Sequence, residues 1–189
     1  MDNPADHIAT SLRIQRKHLG WSLDKTAKET GVSKAMLGQI ERGESNPTVT
    51  TLWRIATGIN VSLSSLLETL PDDQKRATTL FRDAKALRQE LGKEGMQVSQ
   101  LFPYDPDVSF EHFEMTLPPG YERLSEPHKT GVLEYLTVTD GKIEILSEGK
   151  WHSLMKAQSL RIKGDLPHGY RNNTKKPVVV ICIIHYPCR

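Results

Sequence analysis

Cysteine is scarce in this chain. Of 189 residues two are Cys, Cys182 inside an apolar run and Cys188 beside the C-terminus. Two thiols so placed make neither a disulfide framework nor a CxxC zinc motif. An excess of charge of one sign is also lacking: 25 Lys and Arg stand against 23 Asp and Glu. Residues 1–69 hold eight basic and seven acidic side chains, so a nucleic-acid-binding surface has to come from placement and not from excess. No apolar run approaches the ~20 residues that span a bilayer, and the start of the chain has no charged-then-apolar signal pattern. The expected location is the cytoplasm, with no membrane partner.

What is present divides in two. The length accommodates a domain of about 65 residues and another of about 100. The expected fold class is α+β in two domains: an all-α domain of five helices over 1–69 and an all-β domain over 96–189, joined by a connecting segment over 70–95. The helical half centres on Ser22–Arg42. Ser22 is placed to cap one helix, with Leu23 and Ala27 at i, i+4 spacing, and Gly31 supplies a turn. Ser33 then caps a second helix whose apolar stripe is Met36, Leu37 and Ile40. Lys34, Ala35, Gly38 and Gln39 are left on the outer face. Two helices joined by a short Gly-containing turn form the helix-turn-helix arrangement. Helix one is expected over His7–His18 with Leu12 and Leu19 inward. Thr48 caps a fourth helix, Ser62 a fifth, and Trp21 and Trp53 are expected in the core.

Gly20-Trp-Ser-Leu23, Ala27, Gly31-Val-Ser33, Ile40-Glu-Arg-Gly-Glu44, Pro47, Leu52 and Ile55-Ala56 together resemble the lambda-repressor-like (XRE) helix-turn-helix family over about residues 8–67. The resemblance implies that Arg16 pairs with Glu41. It also implies that the helix at 33–42 enters the major groove of double-stranded DNA. Ser33, Lys34 and Gln39 are the candidates for phosphate or base-edge contact, with Ala35 and Gly38 allowing close approach. Ser22 and Thr48, at helix N-termini, are candidates for phosphate contact. One such head buries little surface, so a homodimer on a near-palindromic operator is expected.

Over 70–95, Leu80, Ala84, Leu87 and Leu91 have helical spacing, while Thr78–Arg82 contains β-formers; the strand is preferred, on the family arrangement. From Met96 the texture becomes β. Strands are expected at Val98–Phe102, Ser109–Leu117, Leu133–Thr139, Lys142–Ser147, Ser159–Ile162 and Val178–Ile184, with Asp140-Gly141 as a two-residue hairpin turn.

Within this half, His128, Glu134 and Gly141, followed by Pro167-His168 and Asn172, resemble the two motifs of the cupin (jelly-roll) family, H-x-H-x(3,4)-E-x(6)-G and P-H-x(3)-N. Thr130 stands where the second histidine of the first motif belongs. The resemblance implies a divalent metal, zinc above others, held by His128, Glu134 and His168; two imidazoles and a carboxylate suit such an ion. His112 and His185, beside strands, are candidates for the missing imidazole, and with Thr130 and Tyr170 form a candidate effector pocket. An inward Tyr135, Tyr170 or Arg171 would suit a small anionic or amino-acid-like effector.

A helix-turn-helix joined to a cupin resembles a group of bacterial transcriptional regulators, some linked to sulfur-compound use. The implied function is effector-sensing control of transcription, without enzymatic activity, since no further acid, base or nucleophile is marked. The alternatives are a cupin isomerase or dioxygenase bearing a DNA-binding head, and a cupin that only dimerises the heads.

Overall fold

The computed structural model describes residues 4–67, 79–87, 89–90, 95–105 and 107–187. The chain divides into two compact units, Met1–Leu80 and Phe81–Arg189.

The first unit holds five helices among its described residues: α1 Pro4–His18, α2 Leu23–Thr30, α3 Lys34–Glu41, α4 Val49–Ile59 and the single turn α5 Ser64–Leu67. The helix starts are set locally. The hydroxyls of Ser22, Ser33 and Thr48 accept hydrogen bonds from the backbone N–H groups of Lys25, Met36 and Thr51, satisfying donors that a helix leaves orphaned. Gly31 and Asn60 end α2 and α4 in the left-handed conformation. Ile8, Leu12, Leu37, Ile40, Leu52, Ile55, Ile59, Leu63 and Leu66 form the core. Three expectations fail here. Leu19 follows the last turn of α1 and is exposed, Met36 is exposed on α3, and Trp21 is only half-buried while Trp53 is buried. Thr26 and Thr30 fill inward positions of α2 instead; their hydroxyls donate back to the carbonyls of Ser22 and Thr26. Where α4 crosses α2 the backbones nearly touch: a Cβ on Gly58 would meet Thr30 Cα at 2.6 Å and Glu29 O at 2.7 Å.

The second unit is two antiparallel sheets. Its strands are β1 Gln89–Glu90, β2 Gln97–Asp105, β3 Phe110–Leu117, β4 Glu122–Ser125, β5 Leu133–Asp140, β6 Lys142–Ser147, β7 Lys150–Met155, β8 Ser159–Lys163, β9 His168–Arg171 and β10 Val178–His185. One sheet has the order β1-β2-β3-β10-β5-β8 and the other β4-β9-β6-β7. The inner face of the larger sheet is lined by Phe113, Met115, Leu117, Leu136, Val138, Val180, Cys182 and Ile184.

Two sequence expectations are corrected. Asp140-Gly141 is no hairpin turn: β5 pairs with β10 and β8, β6 with β7 and β9. At Gly141, φ +83, the chain turns a corner from one sheet into the other. The two-residue hairpin is Glu148-Gly149, between β6 and β7, where both residues have positive φ, the requirement of a type I′ turn. The strand expected over Thr78–Arg82 is also absent. Thr78 lies outside the described residues, 79–83 have no regular structure, and 84–87 form a turn closed by Leu87 N–H to Asp83 O. Of the helical alternative, Leu80, Ala84 and Leu87 lie in no helix, and Leu91 lies outside the described residues.

The ion pair implied between Arg16 and Glu41 is present and bidentate. Nε donates to Oε1 at 2.6 Å and Nη2 to Oε2 at 2.8 Å, while Nη1 donates to Trp21 O. It ties α1 to the end of α3. Arg16→Met leaves the buried carboxylate of Glu41 stranded and should cost about 3 kcal/mol. Arg16→Met/Glu41→Leu should recover most of that. Guanidinium unfolding followed by helical circular dichroism measures both, and an equally unstable double variant would refute the stranded-charge account.

Candidate functional site

On the helical unit the outer surface of α3 presents Ser33, Lys34, Ala35, Met36 and Gln39, all exposed. Ser22 is exposed at the start of α2 and Thr48 half-buried at the start of α4. Both hydroxyls accept a capping N–H group, and the Thr48 hydroxyl also makes a 3.0 Å hydrogen bond with the Thr51 hydroxyl. Lys34 Nζ donates to Asp24 Oδ2 at 2.8 Å, an exposed pair of little energetic weight that a phosphate can replace. Gly38 does not belong to this surface. It is buried, and a Cβ there would meet Arg42 Nη1 at 3.2 Å and Leu23 Cδ1 at 3.9 Å. Met36 takes its place on the exposed side, with its sulfur against Ser45 Oγ.

In the β unit, three side chains converge from separate elements. Glu134 comes from β5, facing inward because Leu136 and Val138 on the same parity are core. His168 begins β9. His128 comes from the loop before β5, and two backbone contacts fix that loop: His128 N–H to Gly164 O at 2.8 Å and Gly164 N–H to Val132 O at 2.9 Å. Gly131 N–H donates to Asp165 Oδ2 at 2.7 Å. The potential ligand atoms of His128, Glu134 and His168 all lie within 4.8 Å of one another. His128 Nε2 makes a 2.8 Å hydrogen bond with Glu134 Oε1. His168 Nε2 stands 3.3 Å from the same oxygen without making a hydrogen bond. Glu134 Oε2 accepts from Tyr170 Oη, so the two carboxylate oxygens have separate duties.

Burial alone would raise the Glu134 carboxyl, but the hydrogen bond from His128 and the two imidazoles beside it outweigh burial and hold the group well below the ordinary carboxylate range. Burial lowers His168; the Glu134 carboxylate beside it reverses the sign and leaves the imidazole raised. The Tyr170 phenol is pushed well up, by burial and then by Glu134.

The donor set fits a divalent cation. His168 Nδ1 contacts Leu166 O at 2.8 Å, and since a carbonyl only accepts, Nδ1 carries the hydrogen. In the neutral ring Nε2 is then an acceptor 3.3 Å from a carboxylate oxygen, two acceptors close together. A proton or a metal ion between them removes the conflict. A ring nitrogen fixed by a backbone carbonyl on its far side is the usual setting of a metal-bound histidine.

The other residues singled out from sequence lie elsewhere. His112 and His185 are on the outer face of the larger sheet: their neighbours Glu111, Phe113 and Ile184 are the inward residues. Strand parity therefore bars both from the His128–Glu134–His168 cluster. His112 packs against Phe102 with ring centroids 5.7 Å apart, and burial lowers its imidazole. Thr130 is exposed. Tyr135 is exposed on the outer face, and Arg171 donates to Glu144 Oε2 at 2.7 Å while lying over Trp151. Of the four effector-pocket candidates only Tyr170 reaches the cluster. Asn172 is structural: its Nδ2 donates to the carbonyls of Leu117, Pro118 and Lys176, and its Oδ1 accepts from Thr174.

Sequence reasoning missed Arg123, Ser125 and Glu111, all buried. Arg123 and Ser125 alternate with Leu124, which is 63% exposed, the reverse of the hydrophobic-in pattern by which strands are found.

Comparison with known proteins accords with this division. The helix-turn-helix family HTH_3 matches residues 12–66, and the cupin domain family Cupin_2 matches residues 113–184. The chain is 41% identical to the HTH-type transcriptional regulator SutR of Escherichia coli (strain K12), over 99% of both chains. It is 39% identical over 62 residues to SlrR of Bacillus subtilis (strain 168), an HTH-type transcriptional regulator, covering 32% of this chain and 41% of that one. A crystal structure of an HTH_3 family transcriptional regulator from Vibrio cholerae superposes with a TM-score of 0.82, at 40% identity and 97% coverage of both chains.

Gly164 is the tightest point of the cluster: a Cβ there would meet His128 Cδ2 at 3.0 Å, Val132 Cγ1 at 3.2 Å and Glu134 Cγ at 3.4 Å. Gly164→Ala should cost about 1–3 kcal/mol by overpacking and displace the His128 ring. Thermal unfolding reads the first effect and a crystal structure of the variant the second. An unmoved ring at parental stability would contradict the close fit.

Proposed function

The chain belongs to the HTH-type transcriptional regulators that carry a helix-turn-helix and a cupin domain, and on that premise we propose that it binds an operator sequence-specifically and senses a small-molecule effector at a divalent-metal centre in the cupin. The observation that carries the metal centre is His168 Nε2. It is buried without a hydrogen-bond partner, 3.3 Å from Glu134 Oε1, with its other nitrogen tied to Leu166 O. His128, Glu134 and His168 would hold the ion, and Tyr170, through Glu134 Oε2, would orient the carboxylate as a positioning residue. We take zinc as the ion, since two imidazoles and one carboxylate form a three-ligand zinc set that leaves a position open. The bound ion supplies a Lewis-acidic position that a donor atom of the effector can occupy.

For the head, α3 lies in the major groove in this reading. Gln39 and Lys34 address base edges and phosphates, Ser33 and Ala35 allow close approach, and Ser22 and Thr48 hold phosphates at helix N-termini. Two heads, brought together in a homodimer, would read a near-palindromic operator in the cytoplasm. A second reading keeps the head and makes the cupin an enzyme. Two imidazoles and a carboxylate also hold the iron of non-haem oxygenases, and this donor set is its support.

Elemental analysis of untagged protein prepared without chelator tests the centre. Near-stoichiometric zinc in the parent, lost in His128→Ala/His168→Ala, is the expected outcome. Iron or manganese with turnover of a substrate would move the reading to the enzyme, and a metal-free parent would remove the centre.

The head is tested on an operator selected from random duplexes. Gln39→Ala should weaken binding by about 1–3 kcal/mol and relax preference at one base pair. Lys34→Ala should weaken all duplexes alike and flatten the salt dependence. Fluorescence anisotropy measures both; unchanged affinity in either variant, with intact helical circular dichroism, would displace α3 as the recognition element.

A further inference from the structure

Strand β4 is polar on its inward side. It buries Arg123 (8% exposed) and Ser125 (9%) and turns Leu124 to solvent. A one-residue slip would reverse all three, giving an ordinary half-buried strand with its leucine inside. The observed register is built in. Arg123 lies opposite Tyr170, Leu124 opposite Gly169 and Ser125 opposite His168, and a Cβ on Gly169 would strike Arg123 O at 2.7 Å. The strand is thus held in the register that places a guanidinium and a hydroxyl on the face carrying the candidate metal ligands.

Two buried polar atoms meet there unsatisfied. Ser125 Oγ has no hydrogen-bond partner, and neither has His168 Nε2, its neighbour across the ladder. Native interiors seldom leave such atoms unmet. The charges point the same way. Among the described residues of the β unit, the buried ionisable side chains that carry fixed charge are Glu111, Glu134 and Arg123. All three are buried, inward positions of β3, β4 and β5. With a divalent cation on His128, Glu134 and a neutral His168, that interior is left with one positive charge in excess.

We propose that the effector is a small organic monocarboxylate, gripped by Arg123 and Ser125 beside the metal; this deepens the sensor reading above and rests on it. A carboxylate matches the planar guanidinium fork and accepts from the Ser125 hydroxyl. Its single negative charge cancels the excess. A neutral analogue leaves the excess in place, and a dianion overshoots it.

The test is calorimetric titration of the metal-loaded full chain with glycolate, its neutral amide glycolamide and the dianion malonate. Glycolate should bind, with glycolamide and malonate weaker by about tenfold or more. Arg123→Met should weaken glycolate by about tenfold or more and Ser125→Ala by about fivefold, at unchanged metal content by elemental analysis. Ser125→Ala removes no hydrogen bond from the resting structure, so it decides the matter if Arg123→Met fails to fold. Equal binding of glycolate and glycolamide, or parental glycolate affinity in Ser125→Ala, overturns the proposal. Metal-loaded protein that gives no heat with glycolate overturns it alone, whereas protein that takes up no metal overturns the metal centre with it.

Discussion

A carboxylate with 1% of its surface exposed stays charged only if the fold surrounds it with donors, and Glu134 is such a group. Desolvation works against its ionisation. Two imidazoles and a phenol, from the loop before β5 and from β9, answer it. Each donor has then to be placed in turn. The His128 loop is clasped to Gly164, the far nitrogen of His168 is fixed by Leu166, Gly164 leaves room for the His128 and Glu134 side chains, and Gly169 lacks a side chain where the β4 backbone comes closest. The two sheets are connected chemically through this one residue, because Glu134 stands on the larger sheet and both His168 and Tyr170 on the smaller. The carboxylate sets more of the local architecture than any single apolar contact there.

The helical unit solves the same problem with a different cation. Glu41 is buried at the end of α3 and meets Arg16 as a planar fork, with the third guanidinium nitrogen on a backbone carbonyl. An arginine stays protonated under all ordinary conditions, and this pair is complete within the protein. The histidines around Glu134 are not equivalent to it. His168 stands beside the carboxylate without a hydrogen bond to it. One buried glutamate is thus closed by the chain itself, and the other stands 3.3 Å from an imidazole nitrogen that makes no hydrogen bond to it. That contrast separates a structural ion pair from a group of ligating atoms better than burial or charge alone.

Local chemistry made most of the head legible in the sequence. Ser22, Ser33, Thr48 and Gly31 act within four residues of themselves, so their capping and turn roles follow from their neighbours. Gly38 and Met36 did not, since helical spacing leaves the edges of an apolar stripe undecided, and Gly58 depends on a helix crossing that no local pattern encodes. In the β unit, the resemblance to the two cupin motifs was enough to group His128, Glu134 and His168. The parity of His112 was illegible. Its strand carries Phe110, His112 and Glu114 on one face and Glu111, Phe113 and Met115 on the other, each with a charge among apolar residues. Only the pairing with β10 decides which face is inward. Strand β4 was missed for a sharper reason, as alternation assumes an apolar interior and this interior is polar.

That polar interior bears on how such a unit can respond to a ligand. An effector shifts a conformational equilibrium only by its difference in affinity for the two states. An apolar pocket supplies such a difference weakly, because displaced side chains find other apolar neighbours. Buried charges supply it steeply, since Glu111, Arg123 and Glu134 interact across a medium that screens little. Adding one charge to that interior changes the energy of every member of the cluster at once. Those members sit on β3, β4, β5, β9 and β10, so the strands of both sheets share the response. A cation and an anion entering together restore neutrality, whereas either entering alone leaves a net charge buried. In the proposed reading, binding of the two would be coupled through the charge balance of this interior, and by linkage each would tighten the other.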